Sequence, residues 1–356
     1  MQISVACPGE LGLAEIAAWR SMQRATASLA SPFLCPEFSI AVGNFRPQAR
    51  VAVLYDGVDI AGFFPFEQRG LGVGVPIGAG LNYCHGLVHA PSAEWDPREL
   101  LRACRLSVWQ FDNLVADQRP FERYTSTEYP APFIDLAGGF EQYQKKLQTR
   151  SPKFLREMGR KARRLEREAG DLRFVVDSRD ISELRTLMAW KADQYHRCTQ
   201  LNFFDRPWVV GFMDQLFNTR NDHFHGMLSV LYAGDTLVAA DFGLRCGEMV
   251  GAWFSSYDLR FSRESPGMLQ HLRLAEQAVD LGVQLIDMGA GPGPYKETLK
   301  SGDLRVGAGF VARGRVVAGA HHARGAATDW ARRQVKRCPP LFHAADVVLR
   351  HYGRIG

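Results

Sequence analysis

Several residues in the second half of the chain are of types and spacings that could do chemistry. Ser265-Pro266-Gly267 opens an amphipathic run in which Met268, Leu269, Leu272, Leu274 and Ala275 recur at helical spacing. Ser265 is expected to cap that helix, with Pro266 at the first helical position, where a missing N–H is harmless. Free N–H groups and the helix dipole at such a junction favour an anion. Tyr257, Arg263, Ser265, Gly267 and Met268 would then surround it. Asp287 closes the apolar run Val283–Met288 before a Gly289-x-Gly291-x-Gly293 turn. Its carboxylate can take a proton from an acceptor or cap the turn. Tyr295 and Lys296 follow, and Lys296 can hold an anion or point to solvent. Asp241 interrupts an apolar strand, either as an inward carboxylate or at an exposed edge. His196 and Arg197 end a long helix, where a lone histidine can bind a ligand or equally be packed or solvated.

Other chemistries lack their residues. No Ser-His-Asp or Cys-His arrangement is legible. His223 and His225 have strand spacing, but no nearby carboxylate or cysteine completes a metal set, so no metal is expected. The glycine turn lacks the third spaced glycine and the long helix of a dinucleotide site.

These residues need a scaffold of strands and helices. Ala252–Ser256 reads as a strand, the run after Pro266 as a helix stopped by Gly282, and Val283–Met288 as a buried strand. Upstream, Gly226–Arg245 is a hairpin around Ala233-Gly234-Asp235, after helices at 181–198 and 206–218. The first half repeats this order. A strand (3–6) and helices (13–25, 36–42) precede a hairpin around Asp56-Gly57. A strand at 81–88, a helix at 98–110 and a strand at 112–115 follow. Aligning Tyr55 with Tyr232 also matches Gly57 with Gly234 and Ala61 with Val238. The expectation is a mixed-sheet α/β protein with two copies of one unit, 1–138 and 139–320, and a basic helical tail, 321–356. Residues 139–170 read as a basic helix with one apolar face. Closing strands are expected at 305–312 and 315–318.

The chain has 356 residues, a formal charge of +5 and a sequence pI near 8.8. That balance permits anionic partners without requiring them. The seven scattered cysteines fit a reducing compartment, and no run is apolar enough to span a bilayer. A cytoplasmic protein is expected, with peripheral contact at the inner membrane open to it. The basic segment lacks interleaved aromatics, so nucleic acid ranks low as a partner.

The run Tyr257-Asp258 … Ser265-Pro266-Gly267-Met268-Leu269, then Asp287-Met288-Gly289 … Tyr295-Lys296, resembles the CelD/BcsL-type (BioF2-like) acyltransferases. These belong to the GNAT superfamily and are related to the Fem-type peptidyl transferases. The basic segment Ser151-Pro152-Lys153 … Arg156-Arg160-Arg164 is similar to theirs as well. The resemblance implies tandem GNAT-like units with a degenerate first copy. It also implies acetyl-CoA or another acyl-CoA as donor, bound by Tyr257, Arg263, Ser265, Gly267, Met268 and Lys296. Tyr295 would be the acid for the leaving thiolate, Asp287 the second catalytic residue, and Asp241, Trp253 and His196 the acceptor side. The acceptor would be an envelope, polysaccharide or small-molecule group. Two other readings stay open: a Fem-like transferase using aminoacyl-tRNA, and a non-catalytic scaffold for exopolysaccharide synthesis. The chain departs from the superfamily at its diphosphate loop, where Arg263-Glu264-Ser265-Pro266-Gly267 replaces a glycine-rich sequence.

Overall fold

The computed structural model describes residues 1–78, 80–198, 202–291, 293–314 and 316–319; the expected helical tail lies outside them. The first half runs β1 (Gln2–Ala6), α1 (Leu13–Ala25), α2 (Pro36–Phe45), β2 (Ala49–Asp56), β3 (Asp59–Arg69), β4 (Val73–Pro76), β5 (Val88–His89), α3 (Pro97–Ala103), β6 (Val108–Val115), α4 (Arg119–Glu122) and β7 (Thr125–Asp135). The second half runs α5 (Gly139–Arg150), α6 (Pro152–Ala169), β8 (Leu172–Val175), α7 (Ile181–Arg197), α8 (Pro207–Asn218), β9 (Phe224–Ala233), β10 (Thr236–Cys246), β11 (Met249–Tyr257), α9 (Pro266–Ala278), β12 (Leu285–Asp287), α10 (Pro294–Leu299) and β13 (Gly302–Ala312).

The strands form one mixed sheet in the order β1-β2-β3-β4-β6-β13-β7-β12-β11-β10-β9-β8, with β5 beside β3. This is a mixed α/β fold built on a single large sheet. Both halves build the same hairpin. Gly57 (φ 62°) and Gly234 (φ 56°) take the left-handed turn conformation. Each hairpin also carries a bulge at the aligned position: Leu54 pairs with Gly62 and Tyr55 with Ile60, skipping Ala61, while Leu231 pairs with Ala239 and Tyr232 with Leu237, skipping Val238. The last strand, β13, returns to lie between β6 and β7, antiparallel to both.

The halves share a core. Trp19, Phe33 and Phe38 of the first half and Phe212, Phe242 and Phe254 of the second belong to one buried cluster. Phe33 meets Trp253 edge-on at 5.3 Å, and Phe38 meets Phe212 at 5.6 Å.

Several local expectations are corrected. The strand expected at 81–88 pairs only at Val88–His89 and through a bridge at His85. Its backbone is satisfied by side chains instead: Asn82 Oδ1 accepts from the Cys84 N–H, and Gln118 bonds both backbone groups of Leu87. The helix expected at 98–110 ends at Ala103, because Arg105 turns left-handed (φ 55°) and Val108 onward joins the sheet. The strand β7 was not expected. The basic segment is two helices, α5 and α6, broken at Ser151 because the residue before Pro152 is driven out of the helical region. Beyond β13, residues 316–319 form a helical turn rather than a strand, with Ala318 N–H bonded to the Gly314 carbonyl.

Candidate active site

β10 and β11 position the site. Their pairing shifts between Phe242↔Phe254 and Gly243↔Ala252, which leaves Trp253 as an extra residue on β11. Such a bulge re-aims the strand beyond it. On its other side β11 pairs with β12 only at Met249, Val250 and Gly251, so the edge from Ala252 to Tyr257 parts from its neighbour. A cavity of about 560 Å³ fills the opening. Its walls include Ala252, Trp253, Ser255, Ser256 and Tyr257 of β11, Met268 and His271 of α9, and Tyr295 and Lys296 of α10.

The first half also reaches this cavity. Tyr83, in the 81–87 loop, lines it and donates to the Asp287 carbonyl at 3.4 Å. Gly251 admits it: a Cβ there would lie 2.8 Å from the tyrosine hydroxyl. Trp253 Nε1 donates to the Leu81 carbonyl at 3.0 Å, fastening the same loop.

Asp241 is inward, as one of its two sequence readings has it. It is 2% exposed and lines the cavity. Burial pushes its carboxyl up to about 7, against the opposing pull of the Lys191 ammonium and the Ser255 side chain. Burial lowers Lys191, which donates to the Ser255 carbonyl at 3.1 Å. Asp241 Oδ2 lies 3.4 Å from His271 Nδ1. Burial, reinforced by the Lys296 and Lys191 charges, lowers His271 to about 4. Its ring is therefore neutral near pH 7, the contact is not an ion pair, and Oδ2 has no hydrogen-bond partner. Tyr295 stacks on His271 with ring centroids 5.0 Å apart and planes 5° apart. Burial raises its hydroxyl to about 12, so the proton stays on.

The sequence-derived candidates therefore divide. Asp241, Trp253, Tyr257, Ser265, Gly267, Met268, Tyr295 and Lys296 line one cavity. Lys296 is held there by the Gly289 and Ala290 carbonyls, at 2.9 and 3.3 Å. Asp287 does not line it: its carboxylate accepts from the Gly289 N–H at 2.8 Å, and burial raises it to about 6. Arg263 and His196 are exposed and outside the lining. Ser265 does not cap α9. It is left-handed (φ 52°), makes no capping bond, and its Oγ accepts instead from Lys161 Nζ at 2.8 Å.

Lys191, His271 and Tyr83 were missed. Lys191 falls four residues after Leu187 and three after Met188, on the buried stripe of α7, and a lysine there is a legible signal. Gln270 and His271 are likewise polar residues on the buried face of α9. Tyr83 had no local signal, because it arrives from the other half. Among the described residues no group of three or more His, Cys, Asp or Glu could hold a metal, and no helix is long and apolar enough to cross a membrane.

Comparison with known proteins bears on the fold. Residues 152–297 match the acetyltransferase (GNAT) domain family. The FemX crystal structure superposes with a TM-score of 0.57 at 9% identity, over 87% of this chain and 96% of that one. A conserved protein of unknown function from Bacteroides thetaiotaomicron gives 0.54 at 12% identity, over 87% of this chain and 100% of that one. The C-terminal domain of a candidate lysylphosphatidylglycerol synthetase from Agrobacterium fabrum gives 0.53 at 12%, over 86% and 96%. At these identities the likeness is one of fold. No curated protein matches the sequence.

Proposed function

We propose that this protein transfers an acyl group from an acyl-CoA to an amine or hydroxyl of its acceptor. The observation that carries the reading is the parting of β11 from β12 after Gly251, which opens a cavity beside a strand edge, next to Asp241 and Tyr295. A thioester arm laid along that edge would meet backbone N–H groups able to polarise its carbonyl. A cavity of about 560 Å³ suits such an arm with the reacting end of an acceptor.

On this reading Asp241, rather than Asp287, takes the acceptor's proton, because it faces the cavity and titrates near neutrality. The acceptor nitrogen or oxygen attacks the thioester carbon and the carbon–sulfur bond breaks. Tyr295 then supplies a proton to the departing thiolate. His271 orients both groups, packing on one and facing the other. Trp253 and Tyr83 shape the acceptor side. Residues 1–138 act as a degenerate unit that completes the wall, and an envelope or polysaccharide acceptor is compatible with the site. The test is calorimetric titration with acetyl-CoA and longer acyl-CoAs, followed by mass spectrometry of amine and sugar acceptors. Binding of none of the donors sinks the proposal.

A second reading, an aminoacyl-tRNA-dependent transferase, is favoured by the exposed cations Arg156, Arg160, Arg163 and Arg164 along α6. Retention of RNA that is lost on neutralising Arg156, Arg160 and Arg164 supports it. No retention by the intact protein dismisses it.

A further inference from the structure

Two features have no part in the acyl-transfer reading so far: the basic helix α6 and the absent glycine loop at the start of α9. They meet at one point. Pro266 has no N–H, and those of Met268 and Leu269 turn back to the Ser265 carbonyl, at 2.9 and 3.3 Å. The α9 terminus therefore has few donors for a diphosphate. Beside it, Lys161 of α6 places its ammonium 2.8 Å from Ser265 Oγ, and Ser265 lines the cavity that also holds the unpartnered, buried Asp241 Oδ2.

Two of the neighbouring arginines are already committed to carboxylates. Arg164 is held between Glu168 and the buried Glu264, at 2.7 and 3.1 Å, and Arg260 is bonded to Asp258 at 2.6 Å. Lys161 shares its charge with the half-exposed Glu157 at 3.0 Å and otherwise bonds a neutral hydroxyl. Its side chain is one-fifth exposed. An ammonium so placed can keep one N–H on Ser265 and one on Glu157 and turn the third to a phosphate oxygen.

We propose that Lys161 binds the diphosphate of the acyl donor, doing with a side chain from α6 what a glycine-rich loop does with backbone N–H groups. The inference rests on the acyl-CoA reading. It gives the segment before β8 a part in donor binding and makes selection for CoA over simpler thiols a property of one helix contact.

The test is calorimetry with two thiols, CoA and pantetheine, which lacks the diphosphate and nucleotide. Lys161→Ala should weaken CoA binding about tenfold or more, the usual weight of a charged hydrogen bond. Pantetheine binding should be unchanged, Lys161→Arg should recover part of the loss, and exposed Lys153→Ala should match the parent. Circular dichroism melts establish that the variants fold. Equal losses for both thiols, or unaltered CoA affinity, overturn the role of Lys161 alone. Failure of the parent protein to bind CoA or any acyl-CoA overturns the donor reading and this inference with it.

Discussion

The carboxylate of Asp241 faces His271 at 3.4 Å without forming an ion pair. Each side chain is moved toward its neutral form, the acid to about 7 and the imidazole to about 4, mainly by burial. Such a carboxyl can change protonation near neutral pH, as a proton acceptor must.

The pH dependence of turnover should follow from that carboxyl. On the proposed mechanism kcat/KM rises with pH and levels off above about 7, as Asp241 ionises. Asp241→Asn should remove this limb and lower the rate about 100-fold or more. A limb that survives in the variant assigns it to another group.

The same substitution should act oppositely on stability. The folded protein holds the Asp241 proton up to about pH 7, whereas an ordinary carboxyl releases it near 3.8. This group's contribution to stability is thus complete below that lower value and is lost as pH rises through about 7. The His271 shift works the other way, since stability is lost as pH falls from 6.5 through about 4, but both proteins carry it. Melting temperatures of Asp241→Asn relative to the parent should climb between pH 4 and pH 8. A flat difference would show that the carboxyl is not raised.

Tyr295→Phe keeps the stack on His271 and removes the hydroxyl proton. It should lower kcat about 100-fold or more with little change in KM. Single-turnover kinetics at saturating donor measures this. A normal kcat removes Tyr295 from the proton path.

Asp287 separates capping from catalysis. Asparagine can still accept from the Gly289 N–H, a bond of 2.8 Å in the parent. Asp287→Asn should therefore retain most activity, while Asp287→Ala should lower the unfolding free energy measured by denaturant titration by roughly the 1–3 kcal/mol of an unmade buried bond. Abolished activity in a well-folded asparagine variant would restore Asp287 to the chemistry.

The second half should not stand alone. A fragment of residues 139–320 lacks β6 and β7, so β13 loses both neighbours and β12 loses one. It also sheds the aromatic cover of Phe33 and Phe38. Unpaired edges and an open core favour aggregation. Gel filtration and thermal melts of the fragment check this, and a monomer with a cooperative melt would show the two halves to be separable.

Much of the scaffold was legible because it is local. The Asp56-Gly57 and Gly234 turns and the amphipathic stripes of α7 and α9 depend on neighbours in sequence, where period and turn chemistry speak directly. An aspartate within the apolar β10 and a tyrosine-lysine pair after a glycine turn were legible for the same reason, and all three side chains line one cavity. Tertiary structure decided the rest. Whether Asp241 or Asp287 faces the cavity depends on where β11 leaves β12, a register that only a bulge and a partner strand determine. Tyr83 enters the site and β13 joins the first half because the two halves bury one aromatic core between them, and no local pattern encodes which distant surface will cover it. Ser265 looked like a cap and became a lysine's acceptor, since a helix from 104 residues earlier packs across its turn.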